Sequence, residues 1–208
     1  MLRPGNLYVD HSRERALTKA IKRCQIDEWD KKKILDVGCG GGSNLINLLK
    51  FGAKPSNLYG VDIQQDRIDE ARQRHPTINF QCTNAERLPF DSGYFDIVMQ
   101  YTVFVAIDDQ SCKRIAEEMG RVLRADGLIL WYDFRYSHPF HRDERGIGKK
   151  ALRDLFPNFS VWVQPIVIPP VAARLLGDIS LLLCETLERI PILCSAYFAV
   201  LRRTALNS

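Results

Sequence analysis

No apolar run in the sequence reaches the roughly 18 to 20 residues that a helix needs to cross a bilayer, because Arg174, Asp178, Glu185, Glu188 and Arg189 interrupt the greasiest region, near the C-terminus. The opening stretch MLRPGNLYVDHSRER lacks the apolar centre of a signal peptide. We therefore expect a cytoplasmic protein with no transmembrane segment. Cysteine patterning is also missing. Cys24, Cys39, Cys82, Cys112, Cys184 and Cys194 form no CxxC pair and no Cys/His run at zinc spacing, which predicts free thiols in a reducing compartment and no metal. Nor does one sign of charge dominate. Lys and Arg, 29 in all, are interspersed among 25 Asp and Glu, a net +4, and without a basic tract no nucleic-acid partner is expected. What remains is ordinary globular material: 208 residues, 46% hydrophobic and 26% charged, apolar enough for a core and of a length that suits a single domain over residues 1–208.

Strand and helix signals alternate along the chain. Ser12 suits an N-cap, and Ala16, Leu17, Ala20, Ile21 and Cys24 follow at helical spacing, so a helical cap is expected over residues 1–30. Short apolar runs over 33–37, 57–62, 78–82 and 95–100 read as buried strands, with helices over 45–51, 66–74 and 111–123 between or after them. A turn at Ala125, Asp126 and Gly127 precedes a fifth strand over 128–134. Beyond lie a short helix (151–155), a strand (161–168) and a final strand (197–202). Between the last two strands, 171–187 reads as one helix, with Ala172, Leu175, Leu176, Ile179, Leu182, Leu183 and Leu187 in a wide apolar stripe. That stripe suits core packing, a dimer contact, a membrane surface or the roof of a greasy pocket. The alternation predicts an α/β fold with a mostly parallel sheet and helices on both faces.

In such sheets ligands bind beyond the carboxyl ends of the strands. The first of these ends carries Asp36, Gly38, Cys39, Gly40, Gly41 and Gly42, then Ser43 and Asn44. A glycine-rich loop alone also suits a tight turn. However, the dinucleotide pattern GxGxxG fails at Ser43, and an acid stands two residues before the first glycine. A carboxylate repels a pyrophosphate and attracts an ammonium or sulfonium group, so the loop suits a nucleoside with a cationic, zwitterionic tail. Asp62, ending the second strand, suits acceptance from two ribose hydroxyls as well as a helix cap. Ile63 offers an apolar face to a base.

These residues, with Asn84 to Phe90 (NAERLPF), Phe95 to Val98 and Glu118 to Gly127 (EMGRVLRADG), resemble the successive motifs of class I S-adenosylmethionine-dependent methyltransferases, of the small-molecule, methyltransferase type 11-like kind. The resemblance implies a Rossmann-like, doubly wound, mostly parallel seven-stranded sheet with a reversed last hairpin, a cofactor-binding core over 33–134, and a substrate-side loop, helical insertion and final strands over 135–208. It implies S-adenosylmethionine as cofactor, its methionine part cradled by Asp36, Gly38, Cys39, Gly40 and Gly42 and its ribose held by Asp62. Asn84 and Ala85 match the adenine-binding segment, with Asn84 where the family usually has Asp. Gln100 matches a position facing the cofactor's amino acid end.

The substrate side departs from several relatives. After the fourth strand stand Met99, Gln100, Tyr101 and Thr102 in place of the Asp/Asn-Pro-Pro-aromatic motif of base N-methylating enzymes, and 103–108 lacks the histidine many relatives carry. Candidates on this side are Tyr8, His11, Tyr101, Asp133 and His138, the last near its unperturbed pKa suiting a general base. The loop 135–150, rich in Arg and His, suits an anionic acceptor or a solvated, self-paired surface. The FRYSHPF stretch and the tail resemble those of bacterial methyltransferases encoded beside enzymes of surface-glycan assembly. The expected activity is methyl transfer to an oxygen, in second place a nitrogen, of a small-molecule or glycan acceptor by a monomer or homodimer. A nicotinamide-dependent oxidoreductase and a non-catalytic cofactor-binding regulator are the competing readings.

Overall fold

The computed structural model describes residues 4–137 and 145–204. Seven strands share one sheet in the order β3-β2-β1-β4-β5-β7-β6. They are β1 (Ile34–Val37), β2 (Leu58–Asp62), β3 (Asn79–Cys82), β4 (Phe95–Tyr101), β5 (Leu123–Phe134), β6 (Phe159–Ile166) and β7 (Ala196–Arg203). The first five run parallel. β7 lies antiparallel between β5 and β6, as the reversed hairpin predicts. Strand order reverses at β1, between β2 and β4, which is where an open α/β sheet places its ligand.

The helices are α1 (Pro4–Cys24), α2 (Ser43–Leu48), α3 (Gln65–Arg74), α4 (Asp109–Val122), α5 (Lys149–Leu155), α6 (Pro170–Gly177) and α7 (Leu181–Glu188). One face of the sheet packs Ala16, Leu17 and Ala20 of α1, Leu45 and Leu48 of α2, Ile68 and Ala71 of α3, and the α6–α7 pair. The other packs Ile115, Met119 and Val122 of α4 and Leu152 of α5. β1 is buried at all four residues, as a strand covered on both faces must be.

Three expectations are corrected. Ser12 is no N-cap: α1 already runs from Pro4, and Ser12 sits buried in mid-helix, donating its hydroxyl to Glu188. Ala125–Gly127 is no turn. It is extended within β5, where the register jumps from Phe95 opposite Leu123 to Ile97 opposite Leu128, a bulge that keeps the chain in the ladder. The 171–187 stretch is two helices, broken over 178–180, with Ser180 capping the amide of Leu183. Its stripe divides: Ala172, Leu176 and Leu187 pack half-buried against the core, whereas Leu175, Ile179, Leu182 and Leu183 are exposed. Within α6 and α7 only Ala173, Gly177 and Cys184 are buried.

The insertion is moored to α1. Gly5 lies so close to α6 that a Cβ there would meet the Ala173 carbonyl oxygen at 2.5 Å, so only glycine fits. Glu188 accepts from Ser12, from Arg15 at 2.7 Å and from the Val167 amide at 3.1 Å. Val167 is a β-branched residue at φ 59, a conformation that costs about 1–3 kcal/mol and needs such anchoring. Glu188→Ala should cost roughly 1–3 kcal/mol, the usual penalty for orphaning a buried donor. Urea titration should show a lower midpoint with an unchanged slope.

Candidate active site

The carboxyl ends of β1, β2 and β4 converge on the loop 38–42. Gly38 adopts φ 72, and a Cβ there would sit 2.3 Å from Val103, so the loop passes against the segment after β4 only because this position has no side chain. The amides of Gly38 and Cys39 both donate to the Val61 carbonyl, at 2.8 and 2.9 Å, pinning the loop to β2. Asp62 locks it from the other side: its carboxylate accepts from the Gly40 amide at 2.9 Å and the Gln64 amide at 3.0 Å. Asp62 is therefore not the cap of α3, which begins after Gln64. Ile63 beside it is 69% exposed, an apolar side chain turned to solvent at the sheet edge.

Asp36 is the anomaly. It is fully buried, yet one carboxyl oxygen has no partner and the other receives only a long 3.4 Å bond from Asn44. Burial, with a further push from Asp62, raises its pKa to about 8. Above it lies a cleft of about 350 Å³ between α1 and α2, lined by Asp10, His11, Arg13, Ser43, Asn44 and Tyr101 among others. Tyr101 is only 9% exposed. Burial, then the charge of Asp36, pushes its phenol well up, against a smaller opposite pull from Arg13. It stays protonated and offers a donor, not a base.

The other predicted residues fall into distinct places. Tyr8 does not face the cleft. It is buried among the α1 packing, accepts from the Ile168 amide at 3.0 Å, and burial drives its phenol up. Asp133 is also structural: fully buried and pushed by burial to about 7, it accepts from the amides of Phe104 and Phe134. Gln100 spends its side chain on the Tyr132 carbonyl and the Val103 amide, so only its backbone remains for a ligand. Together Gln100 and Asp133 hold the turn after β4, where Thr102 sits at φ 57. Asn84 bonds the Glu86 amide through its side-chain oxygen at 2.9 Å, with Ala85 half-buried beside it. Cys39 is buried, its thiol pushed up by desolvation. His11 lines the cleft, whereas His138 lies outside the described residues. Arg145 pairs with both oxygens of Asp109, and Arg135 donates to the Pro191 carbonyl.

Arg13 and Asn44 are the side chains that inspection of motifs missed. Arg13 lies over the Tyr132 ring, 5.5 Å from its centre, and Asn44 is the sole hydrogen-bond partner of Asp36 among the described residues. Asn44 was legible as the second residue of the helix after the loop. Nothing along the chain marks Arg13 off from the neighbouring cations of α1.

Residues 34–127 match the family model described as "Methyltransferase domain". A phthiotriol/phenolphthiotriol dimycocerosates methyltransferase of Mycobacterium ulcerans is 30% identical over 134 residues, 62% of this chain and 47% of its own length. The chain thus spans about half the length of the curated relatives it matches. An S-adenosylmethionine-dependent methyltransferase of Mesorhizobium loti superposes with a TM-score of 0.66 at 16% identity, over 90% of this chain and 98% of that one. The [4+2]-cyclase SpnF superposes equally well, TM-score 0.66 at 16% identity, over 92% and 81%.

The buried carboxyl has a pH signature. A folded-state pKa near 8 lies above the ordinary aspartate value of 3.8, so Asp36 contributes stability below about pH 4 that is lost as pH rises through 8. Asp36→Asn should therefore unfold at a higher temperature than the wild type at pH 9, with the gap closing by pH 5. Calorimetric scans at both pH values test this, and an equal gap at the two would contradict it.

Proposed function

We propose that the protein, whose residues 34–127 match a methyltransferase-domain model, is a class I S-adenosylmethionine-dependent methyltransferase that transfers the cofactor's methyl group to an oxygen, in second place a nitrogen, of a small-molecule or glycan acceptor held in the cleft of α1, α2 and Tyr101. One observation carries this reading: a buried carboxyl oxygen without a donor at the foot of a glycine loop. That oxygen fits an ammonium group, and a pyrophosphate would meet repulsion there.

When bound, S-adenosylmethionine supplies a methyl group already activated by its sulfonium. Asp36 takes the amino group of its methionine end. The second lone pairs of the Asp62 oxygens, whose first are spent on Gly40 and Gln64, take the ribose hydroxyls. Ile63 covers the base, and the Asn84–Ala85 turn meets the adenine edge. The loop amides hold this geometry before the ligand arrives, so little ordering remains to be done on binding.

For the transfer, the chain's part is to align the acceptor in line with the sulfur and to exclude water, worth roughly 7–11 kcal/mol of the barrier when well executed. With the cofactor held by Asp36 and Asp62, the acceptor would supply the electron pair for the new bond to the methyl carbon, and the sulfonium would take back the pair of the bond that breaks. A hydroxyl acceptor must also lose its proton, and His11 is the described imidazole that lines the cleft. Tyr101, held protonated, donates to the acceptor and does not deprotonate it.

Calorimetry separates this from the nicotinamide-dependent reading, and methyl release onto a candidate acceptor separates it from the non-catalytic one. S-adenosylmethionine should bind and NAD should not, and the reverse result sinks the proposal. Because Asp36 is largely protonated at pH 7 in the free protein, binding of a cation there should release a proton, and affinity should rise with pH up to about 8. Asp36→Asn should abolish the release and weaken S-adenosylmethionine more than an analogue without the amino acid tail. Asp62→Ala, which removes the ribose acceptor and unlocks Gly40, should weaken both ligands by roughly tenfold or more.

A further inference from the structure

Eight of the eleven large apolar side chains exposed in the described residues lie in one segment, 171–193: Val171, Leu175, Ile179, Leu182, Leu183, Ile190, Ile192 and Leu193. Ile179 and Ile192 are 77% and 76% exposed. Scattered exposed aliphatics are ordinary, but a contiguous cluster marks an interaction surface. We infer that the α6–α7 insertion is a docking surface for an anionic lipid bilayer, lying in the membrane interface without crossing it.

The shape suits the interface. Each helix has eight residues, so each is only about 12 Å long, against a hydrocarbon core of about 30 Å. No described helix is long and apolar enough to cross a membrane. The charges are sorted in the same sense. Glu185 and Glu188 pair with Arg15 of α1. Among the described residues, Asp178 is the one acid of the insertion without a cationic partner. Arg174 and Arg189 stay exposed. Beside Pro191, Arg135 covers the rings of Tyr136 and Tyr197, and Lys149 lies 5.6 Å from the Tyr197 ring. Aliphatics bordered by tyrosine and by long cationic side chains, with two of the three acids paired to Arg15, fit an acyl layer under anionic headgroups.

The place in the fold matters too. The insertion leaves β6 at Ile166 and re-enters β7 at Ala196, opposite Phe134 of β5. It therefore projects from the sheet edge that carries Tyr101 and the glycine loop. Docking would set the cleft beside the headgroups, and the acceptor becomes a membrane-resident amphiphile. That last step rests on the transfer reading above, whereas docking itself does not.

Sedimentation with vesicles of phosphatidylcholine containing phosphatidylglycerol tests the surface. The protein should pellet with them, less so with phosphatidylcholine alone, and high salt should weaken the binding without abolishing it. The triple variant Leu175→Glu, Ile179→Glu, Leu182→Glu, altered only at exposed positions, should lose binding by roughly tenfold or more. Its S-adenosylmethionine affinity should stay unchanged, so failure to dock is read separately from failure of the cofactor site. A wild-type protein that stays in the supernatant with anionic vesicles overturns the proposal. So does a solution dimer that the triple variant converts to monomer, since a second copy then covers the face.

Discussion

Backbone amides that leave the sheet at its carboxyl edge have no ladder partner, and an unpaired buried amide costs about as much as a lost hydrogen bond. Buried and half-buried side chains supply the missing acceptors loop by loop. Asp62 holds the Gly40 amide, Gln100 that of Val103, Asp133 that of Phe104, Glu188 that of Val167 and Glu118 that of Leu88. The loops stay on the sheet edge because each of these side chains is already spoken for. Asp36 stands among them as the one carboxyl with an oxygen left over. Among the described residues one other buried oxygen, on the Gln164 amide, also lacks a donor, but only that of Asp36 lies at the glycine loop.

That division of labour explains which residues were legible in the sequence. The strands were, because parallel strands covered on both faces read as uninterrupted apolar runs, and 33–37, 57–62, 78–82 and 95–100 each lie within a residue or two of the observed limits. Asp36 was legible because charge logic needs no coordinates. The partners of Asp133 and of the Gln100 side chain were not legible: polar residues at strand ends look alike whether they face a ligand or an amide, and only the partner 29 or 3 residues away decides. The bulge at 125–127 hid behind turn-forming residue types, since Asp and Gly serve an extended bulge as readily as a turn. The break in the 171–187 helix is set by the cap at Ser180 and by the close approach of α6 to Gly5, a contact 168 or more residues away along the chain.

The amphipathic stripe shows a further limit of pattern reading. Periodicity locates an apolar face but not what covers it. Half of the expected stripe faces solvent because α1 meets α6 through small residues, Gly5 against Ala173 and Gly177, so the contact is close but narrow. A broader contact would have buried Leu175 and Ile179. The small-residue seam thus leaves the larger side chains outside.

α1 ties these features together. Its inner face supplies Ala16, Leu17 and Ala20 to the core, its next face supplies Asp10, His11 and Arg13 to the cleft, and Ser12 and Arg15 hold the acids of the insertion. Because 3.6 residues complete a turn, residues 10 to 15 reach all three directions within two turns. Any shift of the insertion against α1 must therefore be felt by the wall of the cleft. The path is short and made of packed groups: Glu188 to Ser12 and Arg15, then one residue along the helix to His11 and two to Arg13. A load on the exposed face of α6 and α7 would reach the wall of the cleft through that ion-paired seam, and the amide-pinned loops over β1 and β4 would stay still.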